Sequence, residues 1–236
     1  MLTARGFSTF ALLVSLLAPA ALHAQGDCCL MPDHGGTADL PPLCTYLGQM
    51  RIIDGLPPGT TIQIQTELLP LTLVGSGPGG ALGGKTQTWD GQLRMTMQGT
   101  GALLGFNRII ILPLPPVCTT HSAPRTLFAP LQSFAEDLYT LQGQITLDPD
   151  FDLLRVTAGT GFGMPSPGHT TLTQSGGNWA VDSFFDITYR IDFVGRPGGS
   201  LGGMSGSTTD TKRHTLCDGQ VAVEDANWGT LKALYR

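Results

Sequence analysis

The chain has 236 residues and a formal net charge of −5, a mildly acidic balance that disfavours a nucleic-acid-binding protein because such proteins usually present a basic surface. Its three lysines and three glutamates disfavour a coiled coil or helical bundle, its 32 glycines and 17 prolines indicate many turns, and a hydrophobic content of 41% disfavours an intrinsically disordered chain. The composition is that of a folded, turn-rich protein, and it favours β-structure.

Residues 1–24 have the features of a secretory signal peptide. Arg5 supplies the positive start, an apolar run extends from Phe10 to Ala21, and Ala24 is the small residue that precedes a cleavage site. The apolar run is shorter than the about 20 residues that a membrane-spanning helix needs. We therefore expect a secreted or extracytoplasmic protein with no transmembrane segment after cleavage.

Residues 25–44 lack any periodicity and are rich in glycine, proline, aspartate and cysteine, which predicts an irregular strap. Disulfides persist outside the cytosol, so we expect two bridges and one remaining thiol among the five cysteines, although the sequence leaves the pairing open. A zinc site is disfavoured because no C-x₂-C pairs are present. The disulfide candidates are Cys28, Cys29, Cys44, Cys118 and Cys217.

From residue 45 onward, short runs of alternating apolar and polar residues are separated by turn signals, which is typical of antiparallel strands. The clearest examples are residues 92–98 and 185–193, whereas residues 108–112 form a more uniformly apolar strand. Helical spacing of apolar residues occurs at 227–235 and, more weakly, at 133–141.

Two sequence motifs recur in the same order. Residues 55–62 are similar to residues 163–172, and the PGGALGG stretch at 78–84 matches PGGSLGG at 197–203. Two copies indicate a duplication and not a solenoid, which needs at least three repeats.

The duplication predicts two related β halves. We expect an all-β, antiparallel, sandwich-like architecture whose halves span residues 45–130 and 131–212. A tail over residues 213–236 would carry a short amphipathic helix, because Trp228, Leu231, Leu234 and Tyr235 form one apolar helical stripe.

Five strings of the chain are distinctive: residues 55–64, 148–160, 162–174, 178–195 and 197–208. They resemble a recurring, biochemically uncharacterised β-rich module of exported bacterial proteins. The resemblance covers roughly residues 28–210; it implies export and a β-rich fold, and it supplies no catalytic residues. The tail is similar, more weakly, to W-G-x-x-K-x-x-Y/F endings of some secreted bacterial proteins.

Three carboxylates at alternating positions, Asp148, Asp150 and Asp152, could hold a hard cation such as calcium. The segment departs from an EF-hand loop, since Leu153 stands where that loop requires glycine and Gly159 stands where it requires glutamate. The alternative interpretation is a solvated turn before a strand.

Trp89 and Trp179 lie next to turn signals and could form a sugar-stacking platform, although packing in the core is the default for large aromatic residues. The histidines of the mature chain show no metal-binding spacing. These histidines are His34, His121, His169 and His214.

No local catalytic constellation is evident, so the leading functional hypothesis is an exported, non-enzymatic structural or interaction module without a cofactor. One alternative is an extracellular glycan- or calcium-binding module, with a glycan or another cell-envelope component as partner. The other is a hydrolase assembled from dispersed residues, which would need His121 or His169 close to a nucleophile or carboxylate in a concave pocket.

Overall fold

The computed structural model describes residues 29–40 and 44–216. The predicted signal peptide, Cys28, Cys217 and the predicted C-terminal helix lie outside the described residues.

The described chain is all-β, as the alternating sequence pattern predicted. Two single-turn 3-10 helices, Gly101–Leu103 and Thr160–Phe162, are its helical elements. The strands are β1 (Leu30–Pro32), β2 (Tyr46–Ile52), β3 (Ile62–Pro78), β4 (Lys85–Gly99), β5 (Asn107–Ser122), β6 (Leu131–Thr146), β7 (Phe151–Ala158), β8 (Pro167–Ser175), β9 (Asn178–Gly195) and β10 (Ser205–Leu216).

The strands form one antiparallel sheet that closes on itself. Its order is β1-β9-β10-β2-β3-β4-β5-β6-β7, and β7 pairs again with β9. Strands β7 and β8 lie end to end in the same lane, since each pairs with a different part of β6 on one side and of β9 on the other. All ten described strands belong to this sheet, and the two stacked sheets of a sandwich are not shown.

The alternation of side chains along each strand determines which of them point into the interior of the closed sheet. In β4 the side chains of Leu93, Met95 and Met97 are buried, and in β9 Tyr189 and Ile191 share the inner face, as the sequence predicted. The buried hydrophobic residues of both predicted halves belong to one cluster, so the halves share a core.

The run at 108–112 lies within β5, so its prediction as a strand is confirmed; Ile110 points inward while Ile109 is exposed. Another segment differs from its sequence-based prediction. The stretch at 133–141, with its helical spacing, lies within β6. Gln132 and Glu136 occupy inward positions of that strand, so buried polar residues interrupt the apolar alternation and conceal the strand period.

The repeated PGG motifs occupy equivalent places. One connects β3 to β4 and the other connects β9 to β10. Both contain the same turn, because the Gly83 amide donates to the Gly80 carbonyl at 3.1 Å and the Gly202 amide donates to the Gly199 carbonyl at 3.0 Å. The two motifs therefore share local structure as well as sequence.

The described part of the strap predicted at 25–44, namely residues 29–40 and Cys44, packs on the sheet and is held by a Cys29–Cys44 disulfide; it is not wholly irregular, since β1 pairs with β9. The backbone oxygens of the strap accept hydrogen bonds from β6 and from the β5–β6 connection, including one from Arg125 to Ala38 at 2.8 Å and one from Gln132 to Gly36 at 2.6 Å. Ala38 and Leu40 are buried, so the strap contributes to the core.

Candidate functional site

Two of the three carboxylates of the predicted calcium site accept hydrogen bonds from an arginine of β5. Arg108 donates from Nη2 to Asp148 at 2.9 Å and from Nη1 to Asp150. Burial would raise the pKa of Asp150, but hydrogen bonds from Ser200 and the Arg108 guanidinium hold that pKa below its usual value. Arg108 thus supplies the positive charge that an ion would otherwise bring, and calcium binding stays a prediction. Asp152 is half-buried near the start of β7.

Replacing Arg108 with methionine should lower the free energy of unfolding by about 2 kcal/mol, because two largely buried carboxylates would lose their counter-charge. We expect added calcium to raise the melting temperature of this variant and to leave that of the wild type unchanged. Arg94→Met is the matched control, since Arg94 forms an ion pair with Glu67 that is more exposed than those of Arg108. Calcium stabilisation of the wild type would contradict this account and would support the calcium site.

Both tryptophans singled out in the sequence are buried, with 2% of Trp89 and 1% of Trp179 exposed. Trp179 donates from Nε1 to Asp33 at 2.7 Å, whereas Trp89 lies opposite Cys118 and lines an interior cavity. Neither ring is offered to solvent for stacking on a sugar. Cys118 is a buried free thiol whose pKa is raised by burial to about 12, which makes it a poor nucleophile.

The two candidate histidines of the hydrolase hypothesis contact different residues. His121 stacks on Tyr139, with ring centroids 4.3 Å apart, and accepts a hydrogen bond from the Ala81 amide. His169 lies 2.7 Å from the Ser133 hydroxyl. This serine–histidine contact lies on the outward faces of β6 and β8, where Ser133 is exposed, so the concave pocket that a hydrolase would need does not surround it.

A buried polar chain ending at Glu136 was not predicted from the sequence. The Thr170 hydroxyl donates to the Glu136 carboxyl, Thr170 and Ser183 hydroxyl oxygens lie 2.7 Å apart, and the Tyr46 phenol donates to Ser183 at 2.8 Å. Burial raises the pKa of Glu136, partly opposed by the Thr170 hydrogen bond and by the charge of Arg125. The two-residue alternation of β6 places Glu136 on the same inward face as its buried neighbours in that strand. This alternation is the sequence signal from which Glu136 could have been identified.

Glu136 is one of the residues that line a cavity of about 20 Å³ inside the closed sheet. The cavity lies beside the strap, since Leu40 forms part of its wall. It is lined by Leu40, Tyr46, Leu68, Leu71, Trp89, Thr120, Glu136, Leu138, Phe185 and Ile187.

No family model, curated protein or solved structure matches this chain. Within residues 29–40 and 44–216, no three histidine, cysteine or acidic side chains are grouped to hold a metal ion. The helices in that part of the chain lack the length and hydropathy needed to cross a bilayer. Its function therefore rests on the chemistry of its own residues.

Proposed function

We propose that the protein is an exported, non-enzymatic interaction module that associates through the free edge of β3. The observation that carries this proposal is the unequal pairing of that strand. Residues 62–68 pair with β2, but residues 69–78 pair with β4 on one side and with no described strand on the other. The free edge, residues 69–78, thus presents unpaired backbone groups that can receive another strand.

The free edge contains Pro70 and Pro78 and two irregularities in its register with β4, but it lacks the charged side chains by which proteins often protect such edges. No charged residue occurs between Leu68 and Gly84, and Val74 is 58% exposed beside the exposed Leu73. Charged side chains on an edge strand prevent pairing between molecules, and their absence favours it. Export of this module is supported by the disulfide that holds the strap and by the resemblance to exported bacterial proteins.

The occupant that fits the free edge best is the same edge of a second copy. The chain is acidic overall, so two copies repel each other across most of their surfaces. An uncharged edge allows them to approach, and two identical edges related by a two-fold axis extend the sheet antiparallel across the contact. Elsewhere the outer face carries exposed ion pairs, such as Arg213 with Asp186 and Arg51 with Asp210.

Val74→Lys should weaken self-association of the purified exported chain at least tenfold, because it places a like charge on each facing edge. Sedimentation velocity over a range of concentrations measures this association. Leu104→Lys is the matched control, since Leu104 is 80% exposed in a turn away from the free edge. A wild-type chain that stays monomeric, or equal effects of the two lysines, would overturn the proposal.

A further inference from the structure

Strands β10 and β1 lie end to end along one edge of β9. Phe184 and Phe185 pair with β10 on one side and with β8 on the other. Further along β9, Ala180 pairs with Thr173 of β8 and with Leu30 of β1. Because β8 follows a single edge of β9 through all three positions, β10 and β1 must share the opposite edge.

Strand β10 ends on this edge at Leu216. The last pair that joins β10 to β9 is Thr215 with Phe184, so Leu216 lies opposite Ser183. On its other side Leu216 pairs with Tyr46, whose phenol donates to the Ser183 hydroxyl at 2.8 Å. The end of β10 is therefore fixed between β2 and β9.

Cys29 occupies the same edge of β9 two positions further on. Its carbonyl accepts a hydrogen bond from the Val181 amide at 3.0 Å, which continues the pairing between β1 and β9. Asp182 is thus the single residue of β9 that separates the partner of Leu216 from the partner of Cys29. Positions two apart along a strand are about 7 Å apart, so the Cα atoms of Leu216 and Cys29 are separated by about this distance.

A cysteine adjoins each of these two ends in the sequence. Cys28 precedes Cys29 and Cys217 follows Leu216; both cysteines lie outside the described residues, and their described neighbours supply the geometry. Consecutive Cα atoms are about 3.8 Å apart, and a disulfide joins Cα atoms about 4.4 to 6.8 Å apart. Ends that are about 7 Å apart therefore bring the adjoining cysteines within reach of each other.

The burial of the two ends favours the same side of the sheet for both cysteines. Cys29 and Leu216 are buried, whereas Leu30 is 43% exposed and Thr215 is half-buried. Because side chains alternate along a strand, the residue that adjoins each buried end continues on the outer side.

The other cysteines are not available as partners. Cys29 and Cys44 are bonded to each other, and Cys118 is fully buried on β5 opposite Trp89. We propose that Cys28 and Cys217 form a second disulfide, which joins the strap to the segment that follows β10.

Formation of this bridge is a two-electron oxidation. The two thiols lose two protons and two electrons as the S–S bond forms. A protein disulfide in the oxidising compartment that receives the exported chain takes them up by thiol–disulfide exchange and becomes two thiols.

The bridge would hold the strap at two adjacent residues. Cys29 ties the strap to Cys44, and Cys28 would tie it to the end of β10, so that β1, which has only three residues, no longer depends on its own ladder with β9. The loop closed between residues 28 and 217 includes all ten described strands. Closing so long a loop restricts the unfolded chain more than the Cys29–Cys44 bridge does, whose sequence separation is 15.

Thiol titration of the purified exported chain in denaturant tests the proposal. We expect one reactive thiol per chain in the wild type, that of Cys118, and none in Cys118→Ser. Cys28→Ser and Cys217→Ser should each show two, because each variant frees the partner cysteine and keeps Cys118. Cys118→Ser is the matched control, since it removes a cysteine that the proposal leaves unpaired.

Peptide mapping without reduction identifies the bonded residues. Trypsin releases one peptide that ends at Arg51 and carries three cysteines, and another peptide, residues 214–232, that carries Cys217. The two peptides should stay joined in the wild type and in Cys118→Ser, and they should separate in Cys28→Ser.

Thermal unfolding distinguishes loss of the bond from loss of either side chain. Cys28→Ser and Cys217→Ser should lower the melting temperature equally, by about 5 to 10 °C. The double variant should be no less stable than either single variant, because all three lack the same bond. Additive losses would contradict a shared bond.

Three reactive thiols in the wild type would overturn the proposal. So would joined peptides that survive Cys28→Ser, or a bridge between two chains on non-reducing electrophoresis. Should the serine variants fail to accumulate, the wild-type peptide map still decides, since separate peptides exclude the bridge. The inference uses the export that the proposed function includes but not the self-association: a bridged chain that stays monomeric would overturn only the latter.

Discussion

Replacing Gly195 with alanine is expected to lower the free energy of unfolding by about 3 kcal/mol or more, whereas Gly75→Ala should change it by less than about 0.5 kcal/mol. The two glycines occupy equivalent places in the repeated motifs, each directly after a valine and shortly before a PGG turn. A Cβ at Gly195 would lie 1.8 Å from the Leu201 carbonyl oxygen, but at Gly75 it would meet nothing within 4 Å.

The Leu201 oxygen cannot move aside easily. The Leu201 side chain is fully buried, and the Gly195 amide is fixed by a hydrogen bond to the Met204 carbonyl at 2.8 Å. Relief would therefore have to come from the backbone of the β9–β10 turn. Urea denaturation of both variants measures the difference, and melting temperatures should differ by about 6 to 12 °C for a chain of this size. Equal losses in the two variants would contradict the close approach at Gly195.

The all-β class could be predicted because apolar and polar residues alternate with a two-residue period along the longest strands. In β4, Leu93, Met95 and Met97 alternate with polar residues, and the buried face follows them without exception. Such local periodicity depends on neighbouring residues alone. Closure of the sheet through β7, β8 and β9 depends on contacts between distant parts of the chain, which one-dimensional patterns do not encode.

Buried polar side chains explain the failure at β6. Phe134, Leu138 and Leu141 have helical spacing, because Glu136 takes the inward position between the first two of them. The buried Glu136 carboxyl group is hydrogen-bonded by a hydroxyl group from a strand that lies far away in the sequence, that of Thr170. The spacing of apolar residues in this segment therefore predicted a helix, whereas tertiary contacts stabilise a strand.

The contacts of the candidate site residues could not be predicted for a similar reason. The spacing of Asp148 and Asp150 was suitable for a cation, but their partner Arg108 lies about 40 residues earlier. Turn signals beside Trp89 and Trp179 suggested partial exposure, yet closure of the sheet and the strap bury both rings. Local sequence identified groups with the right chemistry, while the fold decided what each of them contacts.

Acid is expected to destabilise the protein through His214. The ring is fully buried, with Nε2 2.9 Å from the Thr66 hydroxyl, and a Cβ on Gly48 would lie 2.3 Å from it. Burial lowers the pKa of His214 from 6.5 to about 4, so the unfolded chain binds a proton between these values and the folded chain does not. Stability from this group is fully present above pH 6.5 and falls by about 3 kcal/mol as the pH drops to 4.

Urea denaturation at several pH values between 7 and 4 measures this slope. His214→Gln should flatten this slope, since the amide cannot titrate but can still bond to Thr66.

Glu136 acts in the opposite direction: its raised folded pKa makes the folded chain the better proton acceptor, so the contribution of Glu136 to stability grows as the pH falls. Glu136→Gln should therefore steepen the acid loss that His214→Gln removes. Aspartates with lowered pKa values, such as Asp186, add to the loss only below about pH 4. A slope unchanged in His214→Gln would show that other groups govern acid stability.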